Sequence, residues 1–232
     1  MKAVMISVRP NWCAKITNKI GIEKNGKPIY EKTVEVRKTR PKNETPFKCY
    51  IYCTLPPKEE LFMHGCIREY ANELIRLQDG RIVYDYGMRL CCDPEDRPYS
   101  QDNFLCKKVI GEFVCDRIEE IGFSPEMHGK YICKDESFIK QTCIPFEQMF
   151  DYLGDGYGYG WHISDLVIYD KPKELSEFYH YCGDDPKCDG CKYLYSESNE
   201  SVGLYEECCS PVEGCKPFTR PPQSWCYVEV QG

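Results

Sequence analysis

Several common signatures are missing from this chain of 232 residues. No apolar run approaches the ~18–20 residues that a membrane-spanning helix requires. There is no His-Glu-x-x-His motif, no deaminase-type His-x-Glu with Pro-Cys-x-x-Cys, and no Gly-x-Ser-x-Gly elbow, so zinc proteolysis, base deamination and a hydrolase-fold serine triad have no sequence basis. No internal repeat is visible. The opening stretch, residues 1–12, lacks the apolar core of a secretory leader and the Arg/Ser richness of a transit peptide. The cytosol (a cytoplasmic location) is therefore the expected compartment, with thiols kept reduced.

Against that background the 17 cysteines need another explanation than disulfides. Seven of them crowd into residues 182–226. Cys188-Asp-Gly-Cys191 has the spacing by which one tight turn aims two thiolates at a single ion. Cys208, Cys209 and Cys215 follow, and Cys182 precedes. This two-cluster pattern matches structural tetrahedral zinc. A segment poor in apolar residues also gains its stability from metal binding more readily than from a core. The expectation is a structural zinc held by four of Cys182, Cys188, Cys191, Cys208, Cys209 and Cys215, with redox-active thiols as the alternative. Cys226, between Trp225 and Tyr227, reads as a core residue.

The net charge of −7 is unevenly spread. Residues 1–60 hold ten Lys and three Arg against six Glu and no Asp, whereas residues 151–232 hold 15 acids against six bases. A basic N-terminal quarter suits phosphate, and an acidic remainder limits non-specific coating of nucleic acid. The acidic C-terminal region also offers a surface for a protein partner.

Local patterns define the elements. Residues 3–8 alternate as a strand, Pro10 opens a helix over 11–18, and Asn25-Gly26 marks a hairpin. Strands follow over 31–38, 46–54, 107–121, 161–170 and 224–230, with Gly111 marking a bulge or close approach. Helical spacing of apolar residues predicts one long helix over 57–78, and shorter helices are read over 144–153 and 171–179. Residues 93–104 and the Gly/Tyr stretch 154–160 read as loops. The order implies an α+β chain built as a small mixed β-barrel with surrounding helices. Residues 1–179 form the barrel with a helical insertion at about 57–104, residues 180–219 a cysteine-rich insertion, and 220–232 the last barrel strand.

Within the basic quarter, Thr33, Glu35 and Arg37 share one strand face, with Val34 and Val36 on the other. Lys38, Arg40 and Lys42 follow. Arginine grips phosphate or a base edge bidentately, and a carboxylate accepts from an exocyclic amine. Tyr157, Tyr159, Trp161 and Trp225 are candidate stacking surfaces.

The segments Ser7-Val8-Arg9-Pro10-Asn11-Trp12, Lys32 to Lys38 (with Lys32, Glu35 and Arg37 in K-x-x-E-x-R spacing) and Val109-Ile110-Gly111-Glu112-Phe113 together resemble the ASCH family of PUA-like β-barrels. Trp161 to Leu166, Tyr169-Asp170-Lys171-Pro172 and Arg220 to Val228 resemble its bacterial and phage-borne members. The resemblance implies a barrel whose cleft is lined by that motif, and a role in binding RNA or a nucleotide without catalysis. Arg9, Lys32, Glu35 and Arg37 would form the cleft, Lys38 and Arg40 its rim, and Trp161 or Trp225 a stacking face. Here the turn before the motif is expanded into Lys19–Glu31. Some family members are amidohydrolases that deacylate modified nucleosides with a Lys and a Thr three residues on. Lys32 matches the lysine, while Glu35 stands at the threonine position. On that alternative Lys32 would be the base and Glu35 would hold the substrate or water.

Overall fold

The computed structural model describes residues 2–55, 60–63, 66–69, 73–85, 104–122, 136–154, 157–181 and 217–229. The N-terminal run forms β1 (Lys2–Val8), and Pro10 occupies the first turn of α1 (Pro10–Thr17), where its missing N–H costs nothing. A hairpin of β2 (Lys19–Ile22) and β3 (Pro28–Tyr30) closes around Asn25-Gly26, and leads to β4 (Val34–Arg37) and β5 (Phe47–Cys53). Next come β6 (Glu60–Met63), β7 (Cys66–Glu69), β8 (Glu73–Arg76), β9 (Ile82–Asp85) and β10 (Lys108–Ile121). Helices α2 (Glu136–Thr142) and α3 (Phe146–Leu153) precede the long β11 (Gly158–Glu174), a 3-10 turn at Leu175–Glu177, and β12 (Trp225–Glu229).

The main sheet has six strands in the order β12-β1-β5-β10-β11-β4. β1 pairs in parallel with β5 and antiparallel with β12. Both faces of the sheet are covered, so β1 and β5 read as nearly continuous apolar runs. Val4, Ile6, Val8, Ile51 and Cys53 pack with Cys13 and Ile16 of α1, and Ala3, Met5, Tyr50 and Tyr52 pack with Phe178, Phe218 and Val228. A third cluster seats Val34 and Val36 of β4 on Phe138, Ile144, Met149 and Leu153.

Four expectations are corrected. The barrel is not closed by backbone pairing among the described residues, because β12 and β4 are the two ends of the sheet order. Side chains bridge them instead: Arg37 on β4 donates through Nη1 to the Ser224 carbonyl at 3.3 Å, and Trp225 Nε1 donates to Thr39 Oγ1 at 2.9 Å. The long helix over 57–78 is replaced by two hairpins, β6 with β7 and β8 with β9. Strand pairing and burial of Leu74 and Ile75 override an apolar pattern that also fits helical spacing. The loop over 154–160 is shortened, since Gly158 and Gly160 belong to β11. A Cβ there would stand 2.5 Å from Leu153 and 2.9 Å from Phe138, so glycine lets α3 and α2 press onto the strand. The helix over 171–179 shrinks to the 3-10 turn, because β11 continues through Glu174 against Lys108. Gly111 does mark a register shift between β10 and its neighbours, with the Val167 carbonyl 2.4 Å from where a Cβ would lie.

Candidate functional site

β4 presents Val34 and Val36 to α2 and α3. Glu35 and Arg37, expected on an open face, are instead buried, at 6% and 5% exposure. They line a cleft of about 540 Å³, a volume in the range that holds small molecules. Buried Ser7 and half-buried Ser224 adjoin them in its lining. Trp12 from α1 and Tyr152 from α3 flank it, and Arg9, Gln148, Asp151 and Gln223 lie further out.

The polar atoms in the buried part are nearly all engaged. Arg37 Nη2 donates to the Ser7 carbonyl at 2.8 Å and pairs with Glu35 Oε1 at 3.0 Å. Its Nη1 reaches the Ser224 carbonyl at 3.3 Å and the Ser224 hydroxyl at 3.5 Å. Glu35 Oε2 stands 3.3 Å from Lys32 Nζ, an ion pair without hydrogen-bond alignment. Two buried atoms therefore lack a hydrogen-bond partner here: Glu35 Oε2 and Arg37 Nε. A buried acceptor and a buried donor of this kind are costly when left unmade.

Lys32 is fully buried and does not line the cleft. Its Nζ donates to the Val34 carbonyl at 2.8 Å and the Thr142 carbonyl at 2.6 Å, and stands 5.3 Å from the Trp12 ring centroid. Burial pulls its pKa down, and the Glu35 charge opposes that pull. With two carbonyls and one carboxylate around three donors, the ammonium ties β4 to α2 and holds Glu35 in place.

The remaining expected site residues are divided. Arg9 is exposed at the cleft. Lys38 is exposed and does not line the cleft, although its Nζ stands 5.4 Å from the ring centroid of Tyr152, which does. Arg40 lines a different cleft. Trp161 offers no stacking face: it is 0% exposed, with its ring centroid 5.8 Å from that of Phe47. Trp225 packs on Trp161 and Tyr227 and does not line the cleft, although its neighbour Ser224 does. The aromatic residues that do flank the site, Trp12 and Tyr152, are not among the stacking residues expected from sequence. Nothing local to 144–153 points that helix at β4.

Cys182, Cys188, Cys191, Cys208, Cys209 and Cys215 lie outside the described residues. Among the described residues no three His, Cys, Asp or Glu side chains gather at metal-binding distance, and no helix is long and apolar enough to cross a membrane.

No protein-family model matches the chain, and no curated protein matches it. Solved structures are similar to it over most of its length. ASCH from Zymomonas mobilis is 15% identical, with 98% of this chain and 87% of that one covered and a TM-score of 0.43. A tyrosine-to-phenylalanine mutant of ZmASCH gives 15% identity, 99% and 91% coverage and a TM-score of 0.44. A serine-to-alanine mutant gives 16%, 75% and 74%, and 0.39. Among the described residues the fold is a sheet-dominated α+β architecture with few helices.

Proposed function

We propose that this chain is an ASCH-type, PUA-like protein that binds RNA or a nucleotide by taking one unstacked nucleobase into the cleft, without turning it over. The observation that carries this reading is the Glu35–Arg37 pair. Each residue is at least nine-tenths buried, each lines the cleft, and each keeps one polar atom without a hydrogen-bond partner. Both atoms are shut off from solvent as the pair stands, so a base edge reaches them by displacing the ion pairs that cover them. An exocyclic amine donates to the carboxylate, and a ring nitrogen or carbonyl accepts from the guanidinium. Trp12 and Tyr152 supply flat surfaces, and base–aromatic stacking contributes about 1–3 kcal/mol per base. Arg9 in the cleft lining and Lys38 beside Tyr152 are exposed cations available to a phosphate attached to that base. The amidohydrolase alternative is less well supported, because Lys32 sits behind Glu35 with its donors directed at Val34, Thr142 and Glu35.

Filter binding of short single-stranded RNAs and equilibrium titration with the nucleoside monophosphates test the reading. Binding that weakens with salt and falls about tenfold in Arg37→Lys is expected, the fork geometry being lost. No affinity at low salt, or affinity indifferent to Arg37, overturns it.

We further propose that four of the six cysteines between Cys182 and Cys215 hold a structural zinc. The support is their spacing. Elemental analysis of the purified protein should return about one zinc per chain, with loss of folding on chelation. A metal-free folded protein contradicts it.

A further inference from the structure

Directly after Arg37 the chain leaves β4 and exposes a run of cations. Lys38, Thr39, Arg40 and Lys42 are all exposed, yet each is anchored on an aromatic residue. Lys38 Nζ stands 5.4 Å from the Tyr152 ring centroid, and the Arg40 guanidinium 5.7 Å from that of Tyr159. Trp225 Nε1 donates to Thr39 Oγ1 at 2.9 Å, and the Lys42 backbone N–H donates to the Tyr227 hydroxyl at 2.8 Å. The anchors come from α3, β11 and β12, so three elements fix one loop from beneath. The loop then curves around a second cleft of about 460 Å³, lined by Arg40–Thr45 and Ile118. Arg37 lines the first cleft and Arg40 the second. Two residues separate them, a reach of at most about 11 Å of chain.

We infer that the ligand is a single strand of RNA rather than a free nucleotide, with its backbone running along residues 38–42 and its next nucleotide held in the cleft formed by Arg40–Thr45. This rests on the reading of the first cleft as a base site. A free nucleotide needs one concave site and one phosphate contact. Here a base-sized cleft, exposed cations and a second polar cleft follow one another on a single stretch of chain, which is the order base, phosphate, nucleotide of a polymer. Grooves that follow a single strand combine cations along the backbone with aromatic side chains in this way. The rings of Tyr152 and Tyr159 restrict the Lys38 and Arg40 cations, which would otherwise lose rotamer freedom on binding. Glu44 in the second cleft and Asp151 in the first disfavour dense phosphate and accept from base amines. A duplex, whose bases are stacked and paired, cannot fill the first cleft.

The test compares each nucleoside monophosphate with the matching homopolymeric RNA of about eight nucleotides, within the usual span of single-strand sites. Affinities are measured by calorimetry or fluorescence anisotropy at several salt concentrations. For the wild type, at least one oligonucleotide should bind about tenfold tighter than its monophosphate, the worth of one charge-assisted contact. The double variant Arg40→Gln/Lys42→Gln should lose roughly that factor for the oligonucleotide and far less for the monophosphate. Its salt slope should flatten by about 0.7 per phosphate contact removed. Both residues are exposed, and thermal unfolding of the variant confirms an unchanged fold. An oligonucleotide that binds no tighter than its monophosphate, or one indifferent to the double variant, overturns this inference and leaves the base site standing. Failure of every probe to bind removes the base site and this inference together.

Discussion

Glu35 Oε1 and Arg37 Nη2 lie 3.0 Å apart in the buried part of the cleft, and the other oxygen of Glu35 and the Nε of Arg37 have no hydrogen-bond partner. Neither charge would survive burial alone; each is tolerated because the other is there. The same guanidinium reaches Ser7 on β1 and Ser224 at the start of β12. One residue thus holds the two outer strands of the sheet together and lines the cleft. Fold and site are joined there, which is why the cleft sits on the seam of the sheet.

The Lys32 side chain lies under that pair. Replacing it as Lys32→Met keeps most of the volume but removes the donors for the Val34 and Thr142 carbonyls and one partner of Glu35. A loss of about 3 kcal/mol in unfolding free energy is expected in denaturant titrations, the usual cost of breaking a buried pair. The alkaline pH dependence carries the same signature. Burial lowers the Lys32 pKa in the folded state, so the unfolded chain holds its proton to higher pH. Between the folded value and the unfolded value of about 10.4, the unfolded state binds more protons, and stability rises with pH. Below the folded value the lysine contribution is constant. The stability difference between wild type and Lys32→Met should therefore grow as pH climbs toward that upper limit. A flat or shrinking difference contradicts the buried-ammonium account.

Tyr152 separates binding from folding. It is 41% exposed and flanks the cleft. Tyr152→Ala should weaken nucleotide binding about tenfold through lost stacking, within the usual 1–3 kcal/mol per base, while thermal stability changes by no more than about 0.5 kcal/mol. Titration and a melting curve on the same preparation decide it. Unchanged affinity would place the base elsewhere.

Four of the described thiols are packing groups. Burial, with Cys115 beside it, pushes the Cys49 thiol well above its ordinary range. The Cys53 thiol is pulled down by its contact with Cys106 but raised more by Cys13 and by burial, and Cys115 and Cys226 are pushed up to about 12 by burial. Alkylation depends on the thiolate. At neutral pH, iodoacetamide should leave these four unmodified in the folded protein and modify all of them once it is unfolded, as read by peptide mass mapping. Rapid labelling of Cys49 or Cys115 in the native state would contradict the packing.

Much of this was legible in the chain, for local reasons. Pro10 at a helix start and Asn25-Gly26 in a hairpin act over a few residues, and both elements formed where those residues place them. The Lys32, Glu35 and Arg37 spacing likewise survived as a constellation, because all three belong to or adjoin β4. What the sequence withheld was non-local. Two short hairpins in tandem carry apolar residues at intervals that a helix would also show, so 57–78 read as one helix. Trp161 looked like a stacking residue beside glycines and tyrosines, but its partner across the sheet is Phe47, over a hundred positions away. Tyr152 and Ser224 entered the cleft through the packing of α3 and the return of the last strand, which no window of neighbouring residues encodes.

The central claim is that the Glu35 carboxylate, whose Oε2 stands 3.3 Å from Lys32 Nζ without a hydrogen bond, accepts one from a nucleobase. Calorimetric titration of Glu35→Gln against the nucleoside monophosphate that binds the wild type best tests it most directly. The substitution keeps the shape but replaces a charged acceptor with an amide. The account predicts a loss of at least about tenfold in affinity, with a changed order of preference among the four bases. Wild-type affinity and an unchanged order in Glu35→Gln would contradict it.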